Sequence, residues 1–289
     1  MILIDAEGLA GHRPGRVLFE DLDVTLTDGD RLAVVGVNGT GKSTLLGVLA
    51  GTIEPESGQV RRGRAVEVEV LDQDPRLQGS TLREALHAGM GHEAWEVESI
   101  ADRLGLGGEL DTAVAELSGG QLKRAALARA LVSDAGVLVL DEPTNHLDID
   151  AIDWLEDHLA ARSGALLMVT HDRHFLDRVC TRILELDRGK AHFHEGGYAS
   201  YLEARSQRAA AAESAEARRA NLARRELAWL RRGAPARTSK AKARITRATE
   251  LVDHRPDVDV RAGDLPLHSV TPRLGDRVIE LHGVRHAFR

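Results

Sequence analysis

Gly36-Val-Asn-Gly-Thr-Gly-Lys-Ser-Thr44, GVNGTGKST, decides how the rest of this 289-residue chain is read. The apolar run RLAVV, 31–35, precedes it, and a helix-patterned segment, 42–50, follows. A strand, a glycine-rich turn and a helix in that order make a phosphate-binding loop. The glycines let backbone N–H groups turn inward around an anion, and the helix N-terminus adds a favourable potential. Gly36, Val37, Asn38, Gly39, Thr40, Gly41, Lys42, Ser43 and Thr44 are therefore candidate phosphate-wrapping residues. In such a loop the lysine reaches the β/γ-phosphates and the following hydroxyl binds Mg²⁺, so Lys42 and Ser43 take those roles.

Downstream, GVLVLDEP (136–143) is a buried-strand pattern that ends in two acids. Asp141 at the strand end can stand beside a Mg²⁺ ion, and Glu142 next to it can orient an attacking water. Between the two segments lies LSGGQLKRAALARAL (117–131), a Ser-Gly-Gly turn opening a long helix. The turn is a ready-made anion site, but taken alone it reads sooner as a plain N-cap on an amphipathic helix.

Around these segments strands and helices alternate. MILID and VTLTDGDRLAVVG read as short strands, VEVEVL (66–71) as an alternating strand, and 80–116 as helical with breaks near Gly89–Gly91 and Gly105–Gly108. A helix over 150–161, a strand at ALLMVTHD and a hairpin at RILELDRGKAHFHEG complete the pattern. The fold class is α/β with a largely parallel sheet. The longest apolar runs are strand-sized, well short of the ~18 residues of a membrane span. With no secretory leader pattern at MILIDAEG, a cytoplasmic protein with no transmembrane segment of its own is expected. Cys180, the one cysteine, sits in the amphipathic FLDRVCTRIL and reads as a buried, inert thiol. His192 and His194 alternate on a strand and lack further ligands for a metal.

The chain is acidic, net −7, yet residues 204–255 hold 14 Lys/Arg against 5 Asp/Glu. An acidic body with a basic appendage points to a polyanionic partner for the appendage. Aromatics make up only 3%, which argues against a stacking-rich nucleic-acid surface. After Gly197 the sequence is rich in helix formers. Ala220, Ala223, Leu227 and Leu230 form one heptad-like seam; beyond Gly233-Ala234-Pro235, Ala241, Ile245, Ala248 and Val252 form a second. Two seams about a Gly/Pro break predict an antiparallel coiled-coil hairpin with its tip near 233–239.

The order of the motifs resembles an ATP-binding cassette (ABC) domain. GVNGTGKS looks like its Walker A, Gln73 in VLDQDP like its Q-loop glutamine, and LSGGQ like its signature. VLVLDE looks like Walker B with the catalytic glutamate, Asp148 in NHLD matches the D-loop, and His171 in VTHD the switch histidine. The resemblance covers about residues 1–197 and implies a P-loop cassette with a mixed sheet core, a helical subdomain and an antiparallel β subdomain. It implies ATP and Mg²⁺ as ligands, with Gln73 sensing the metal and γ-phosphate alongside Ser43 and Asp141. Glu142 would polarise water and His171 contact the γ-phosphate. Ser118, Gly119 and Gly120 would close over ATP held by a different cassette, so a second cassette or a homodimer partner is expected. The family's adenine-stacking aromatic has no counterpart in LAGHRPGR, 9–16, where His12 stands.

DEPTNHLDIDAIDWLE and the basic ELAWLRRGAPARTSKAKARI, 226–245, are similar to the ABC-F branch, in its Uup-like form. That resemblance implies a soluble twin-cassette ATPase whose basic helical hairpin, here 226–247, reaches ribosomal RNA and tRNA. Translation control and protection from an antibiotic are both open. A transporter ATPase subunit and a DNA-acting ATPase are the rival readings. The expected layout is a cassette over 1–197, a hairpin over 198–255 and a linker over 256–275. RVIELHGVRHAFR echoes the chain's start and reads as the opening of a second, truncated cassette, 276–289, with weak hydrolysis by a single cassette as the consequence.

Overall fold

The computed structural model describes residues 1–71, 75, 77–88 and 94–231. The chain opens with two long strands, β1 (Ile2–Arg13) and β2 (Arg16–Thr27), joined by a tight turn into an antiparallel pair. β3 (Arg31–Val35) then runs into the glycine loop and α1 (Lys42–Ala50). β4 (Ser57–Arg62) returns to pair with β1, giving a three-stranded antiparallel sheet ordered β2-β1-β4. The strand pattern over 1–35 is thus two twelve-residue strands before β3, not a series of short ones. Register shifts along β1 break the two-residue alternation that would have revealed their length. β4, SGQVRR, has mostly exposed side chains and so carries no apolar signal.

β5 (Val68–Leu71) begins the rest of a second, six-stranded sheet. The helical stretch expected over 80–116 is broken into α2 (Leu82–His87), α3 (Ala94–Arg103) and two single 3₁₀ turns. Gly105, at φ 72°, follows α3 where the break was expected. The break near Gly89–Gly91 lies outside the described residues. α4 (Gly119–Val132), β6 (Val137–Asp141), α5 (Ile149–Ala161), β7 (Ala165–Val169), α6 (Arg173–Val179), β8 (Arg182–Asp187), β9 (Lys190–Glu195) and α7 (Tyr198–Arg231) follow.

The large sheet runs β5-β6-β7-β3-β8-β9, parallel throughout except for β9. The central strands are buried on both faces, so they read as unbroken apolar runs. One face, with Ala33, Val35, Leu138, Leu140, Leu166 and Met168, packs under the helices α2 to α6. The other, with Val34, Val137, Val139, Leu167, Leu184 and Leu186, packs with α1 and the antiparallel sheet. This is the mixed-sheet cassette with helical and antiparallel subregions that the motif order implied.

By internal contact the chain divides into Met1–Ala209 and Ala210–Arg289. The first unit runs past Gly197, where the composition changes, because side chains on the first turns of α7 bond to the sheet. Within the second unit the described residues are helical to Arg231, and Ala220, Ala223 and Leu227 are half-buried along it. Leu230's side chain, the second seam and the hairpin tip lie outside the described residues, as do the linker and the segment 276–289.

Cys180 caps the end of α6 and is buried against Met168, 3.6 Å between sulfurs. Burial pushes its thiol up to about 12, against the weak opposing pull of Arg31. At pH 8 only about one thiol in ten thousand would be the reactive thiolate. Iodoacetamide is expected to leave the folded chain unmodified and to label it once in guanidinium. Comparable labelling of the folded chain, read by intact mass, would show the site to open.

Candidate nucleotide site

Three neighbouring parallel strands, β6, β7 and β3, end on the same side of the sheet. Their carboxyl ends carry Asp141-Glu142, Thr170-His171 and the glycine loop. Ligands in open α/β sheets bind at these strand ends. The sheet order, which no local pattern reveals, therefore gathers segments that are over a hundred residues apart in sequence.

The loop is held by its own contacts. Gly36 adopts φ 153°, Gly39 79° and Gly41 97°, all unfavourable to a side chain. A Cβ on Gly36 would also lie 2.6 Å from the Leu186 carbonyl oxygen, and one on Gly41 2.8 Å from Leu18. Thr40 is buried and its hydroxyl donates to the Val37 carbonyl at 2.9 Å, closing the turn. Lys42 is buried too, and its ammonium donates to the carbonyls of Gly36 at 2.9 Å and Val37 at 3.4 Å. Burial holds the ammonium below its ordinary pKa, against Glu142 and Asp141, which raise it. The lysine thus faces both acids across the site. Ser43 is exposed beside it, at the start of α1, whose first turn carries no acidic residue. That helix end is positive in potential and free to take an anion.

Asp141 ends β6 with its Oδ1 buried and without a hydrogen-bond partner. A buried carboxylate oxygen is costly to leave unpaired, and a water or a cation would satisfy it. Among the described residues no cluster of three or more His, Cys, Asp or Glu could hold a metal. A carboxylate and a hydroxyl are ligand types that fit Mg²⁺, which keeps most of its shell for waters and phosphate oxygens. Asp141 and Ser43 fit that donor set. Gln73, the third residue expected there, lies outside the described residues.

Glu142 sits at φ 53°, a conformation rare for a side-chain-bearing residue and frequent at working sites. Its N–H donates to the Val169 carbonyl at 2.8 Å, which fastens it to the end of β7. Its carboxylate is 3.5 Å from His171 Nε2, an exposed imidazole on the loop after β7. Burial raises the Glu142 carboxyl above its usual range; Asp141 adds to the rise, and His171 and Lys42 oppose it. A cavity of about 60 Å³ lies beside the acids, lined by Leu71, Lys123, Arg124, Asp141, Glu142 and Asn145 among others. It is large enough for ordered water.

The other expected residues serve the frame. Ser118 N-caps α4 in a full capping box: its hydroxyl accepts from the Gln121 N–H, and the Gln121 side chain accepts from the Ser118 N–H at 2.8 Å. Gly120 packs beside His146, a second non-glycine residue at positive φ. The hydrogen bonds of Ser118 stay within the first turn of α4, with Gln121 and Leu122. Asp148 N-caps α5, accepting from Ala151 at 2.8 Å. His12 is engaged by Glu56 at 2.6 Å and Glu20 at 3.2 Å, pairings that raise its pKa. Sequence reasoning passed over Leu186, whose carbonyl walls the loop, and Thr170, whose hydroxyl lies 3.3 Å from that of Thr144 across the site. One acts through its backbone, and the other, though inside VTHD, closes an apolar strand run in which only His171 stood out.

A phosphate loop after β3, and an orphaned aspartate and a strained glutamate at the end of β6, define a P-loop nucleotide-hydrolase domain. A family model described as "ABC transporter" matches residues 19–145, and a second of the same description matches 184–262. A Bacillus subtilis protein called an uncharacterized ABC transporter ATP-binding protein, YfmR, is 38% identical over the whole of this chain and 52% of its own length. The energy-dependent translational throttle protein EttA of Mycobacterium tuberculosis H37Rv is 36% identical over 92% of the chain and 55% of its own length. EttA of Escherichia coli K12 is 34% identical over 96% and 59%. This chain belongs to the ATP-binding cassette family. It spans a little over half the length of these relatives. A solved ATP-binding subunit of an ABC transporter shares the fold, at TM-score 0.58 and 23% identity, over 67% of this chain and 90% of its own. Among the described residues no helix is long and apolar enough to cross a membrane.

Proposed function

We propose that this chain is part of an ABC-F ATPase that acts on the ribosome, in translation control or in ribosome protection. The similarity to translational throttle proteins carries the reading, because it runs over 92–96% of the chain and therefore past the cassette into the helix that follows. In this reading Lys42 and the loop N–H groups bind the phosphates of ATP. Mg²⁺ held by Asp141 and Ser43, with Gln73, would offset charge on the phosphate oxygens. Glu142 orients a water and draws on its proton, and His171, 3.5 Å away, holds that carboxylate and reaches the γ-phosphate. Ser118, Gly119, Gly120 and Asp148 meet ATP bound to a second cassette or a homodimer partner. The basic segment 226–247 contacts rRNA and tRNA phosphates, an affinity that falls steeply with salt and reads no sequence.

Sedimentation with purified ribosomes tests the reading. A Glu142→Gln chain is expected to pellet with ribosomes when ATP is present, and to stop doing so when Arg231, Arg232, Arg237 and Lys240 are neutralised. Pelleting that is indifferent to both ATP and those charges would sink it.

A further inference from the structure

Glu185 is a buried carboxylate that the nucleotide site does not use directly, yet it lies on the sheet rung where that site begins. It sits on β8 and pairs with Val35, the residue before Gly36. The next carbonyl along, that of Leu186, is the wall against which Gly36 packs. The carboxylate itself is claimed by one face of α7. Its Oε1 accepts from the Tyr201 hydroxyl at 3.0 Å and lies 3.5 Å from Arg205 Nε. Its Oε2 accepts from the Arg208 guanidinium, whose other nitrogen faces His194 Nε2 at 3.1 Å. Tyr201, Arg205 and Arg208 are spaced four and three, one stripe of a helix.

The first turn of α7 is tied to the site from a second side. Ala199 N–H donates to Asp177 Oδ1 at 2.9 Å, and Arg173 lies over the Tyr198 ring at 5.8 Å. Both partners are on α6, which starts two residues after His171. The root of α7 is therefore fastened to the strand behind the phosphate loop and to the helix behind His171.

A buried carboxylate could instead be a structural pin that holds the helix and nothing more. Two facts argue for more. The pin sits on the rung that ends in Gly36, and Gly36 has no slack, since even a methyl would meet the Leu186 carbonyl at 2.6 Å. A shift of β8 by a few tenths of an ångström is therefore felt by the loop.

We propose that Glu185 is a positioning residue for the phosphate loop, through which docking of residues 198–209 of α7 and binding of nucleotide favour one another. Such coupling is reciprocal: whatever α7 docking adds to nucleotide affinity, nucleotide returns to the docking. The inference rests on nucleotide binding by this cassette and needs no ribosome, so its failure leaves the ribosomal reading untouched.

The test uses the Glu142→Gln chain with MgATP, so that no turnover intervenes. Glu185→Gln and Arg208→Met are each expected to weaken MgATP binding at least about fivefold. The double variant is expected to bind no worse than either, because the two remove one linkage. Hydrogen exchange of amides 198–209 is expected to slow on adding MgATP in the parent and to stay unchanged in both variants. Val97→Ala, a cavity beneath the helices, serves as the control: it lowers Tm and leaves affinity and the exchange response as in the parent. Variants that lose Tm but keep the parent's affinity and exchange response would reduce Glu185 to a structural pin and overturn the proposal.

Discussion

Glu142→Gln is expected to cut ATP turnover by about 10²- to 10⁴-fold while MgATP affinity stays close to that of the parent. The side chain keeps its shape, so the backbone at φ 53° and the N–H bond to Val169 are undisturbed. What goes is the carboxylate, the group placed 3.5 Å from His171 and beside a cavity that admits water. The pH dependence gives a second handle. Burial lifts the Glu142 carboxyl above the usual range, so it takes up its proton at a higher pH than a free glutamate. Turnover by the parent should therefore fall as pH is lowered through that raised value, and the residual turnover of the variant should lack this acid limb. Steady-state phosphate release across pH, with nucleotide binding measured in parallel, reads both. Equal turnover in variant and parent would take the general-base role away from Glu142.

The second large effect falls on Lys42. Replacing it with Met removes the one cation among the described residues of the glycine loop and takes the ammonium away from the Gly36 carbonyl, while Val37 keeps the Thr40 hydroxyl as a donor. Hydrogen bonds to charged groups contribute about 1.5–3 kcal/mol each, so affinity for MgATP is expected to fall about 10- to 150-fold. Stability should move the other way or not at all. A lysine whose pKa is held down by burial is charged at a cost, and Met fills the same stem volume without that cost. The separation of the two readouts is the signature of a site that trades stability for binding. Isothermal titration with a thermal melt on the same sample tests it. A variant that binds MgATP like the parent would remove Lys42 from the phosphate site.

Much of this domain is legible one segment at a time, because local chemistry dictates it. GVNGTGKST must turn through positive φ and must open a helix, and the glycines and the flanking apolar runs say so directly. The strand ending in Asp141-Glu142 is equally plain, since a strand buried on both faces carries an unbroken apolar run up to the first acid. The helix after Ser118 announces its own cap. The order of these motifs was enough to infer the cassette fold.

The tertiary structure decided what depends on neighbours distant in sequence. The placement of β7 between β6 and β3 is what sets His171 against Glu142, and strand order is a property of the packed sheet, not of any strand's pattern. The same packing buries Asp141 Oδ1 without a partner, and burial cannot be read from an acid's neighbours in sequence. β4 escaped notice because, Val60 apart, it offers no apolar side chain, and its place is set by backbone pairing to β1. Glu185 is the clearest case. In the sequence it is one acid in an alternating strand, which by pattern should face water. Only in the fold does it turn inward to meet Tyr201, Arg205 and Arg208, because a helix that begins beyond the next hairpin packs back over the sheet and supplies the charges that make its burial tolerable.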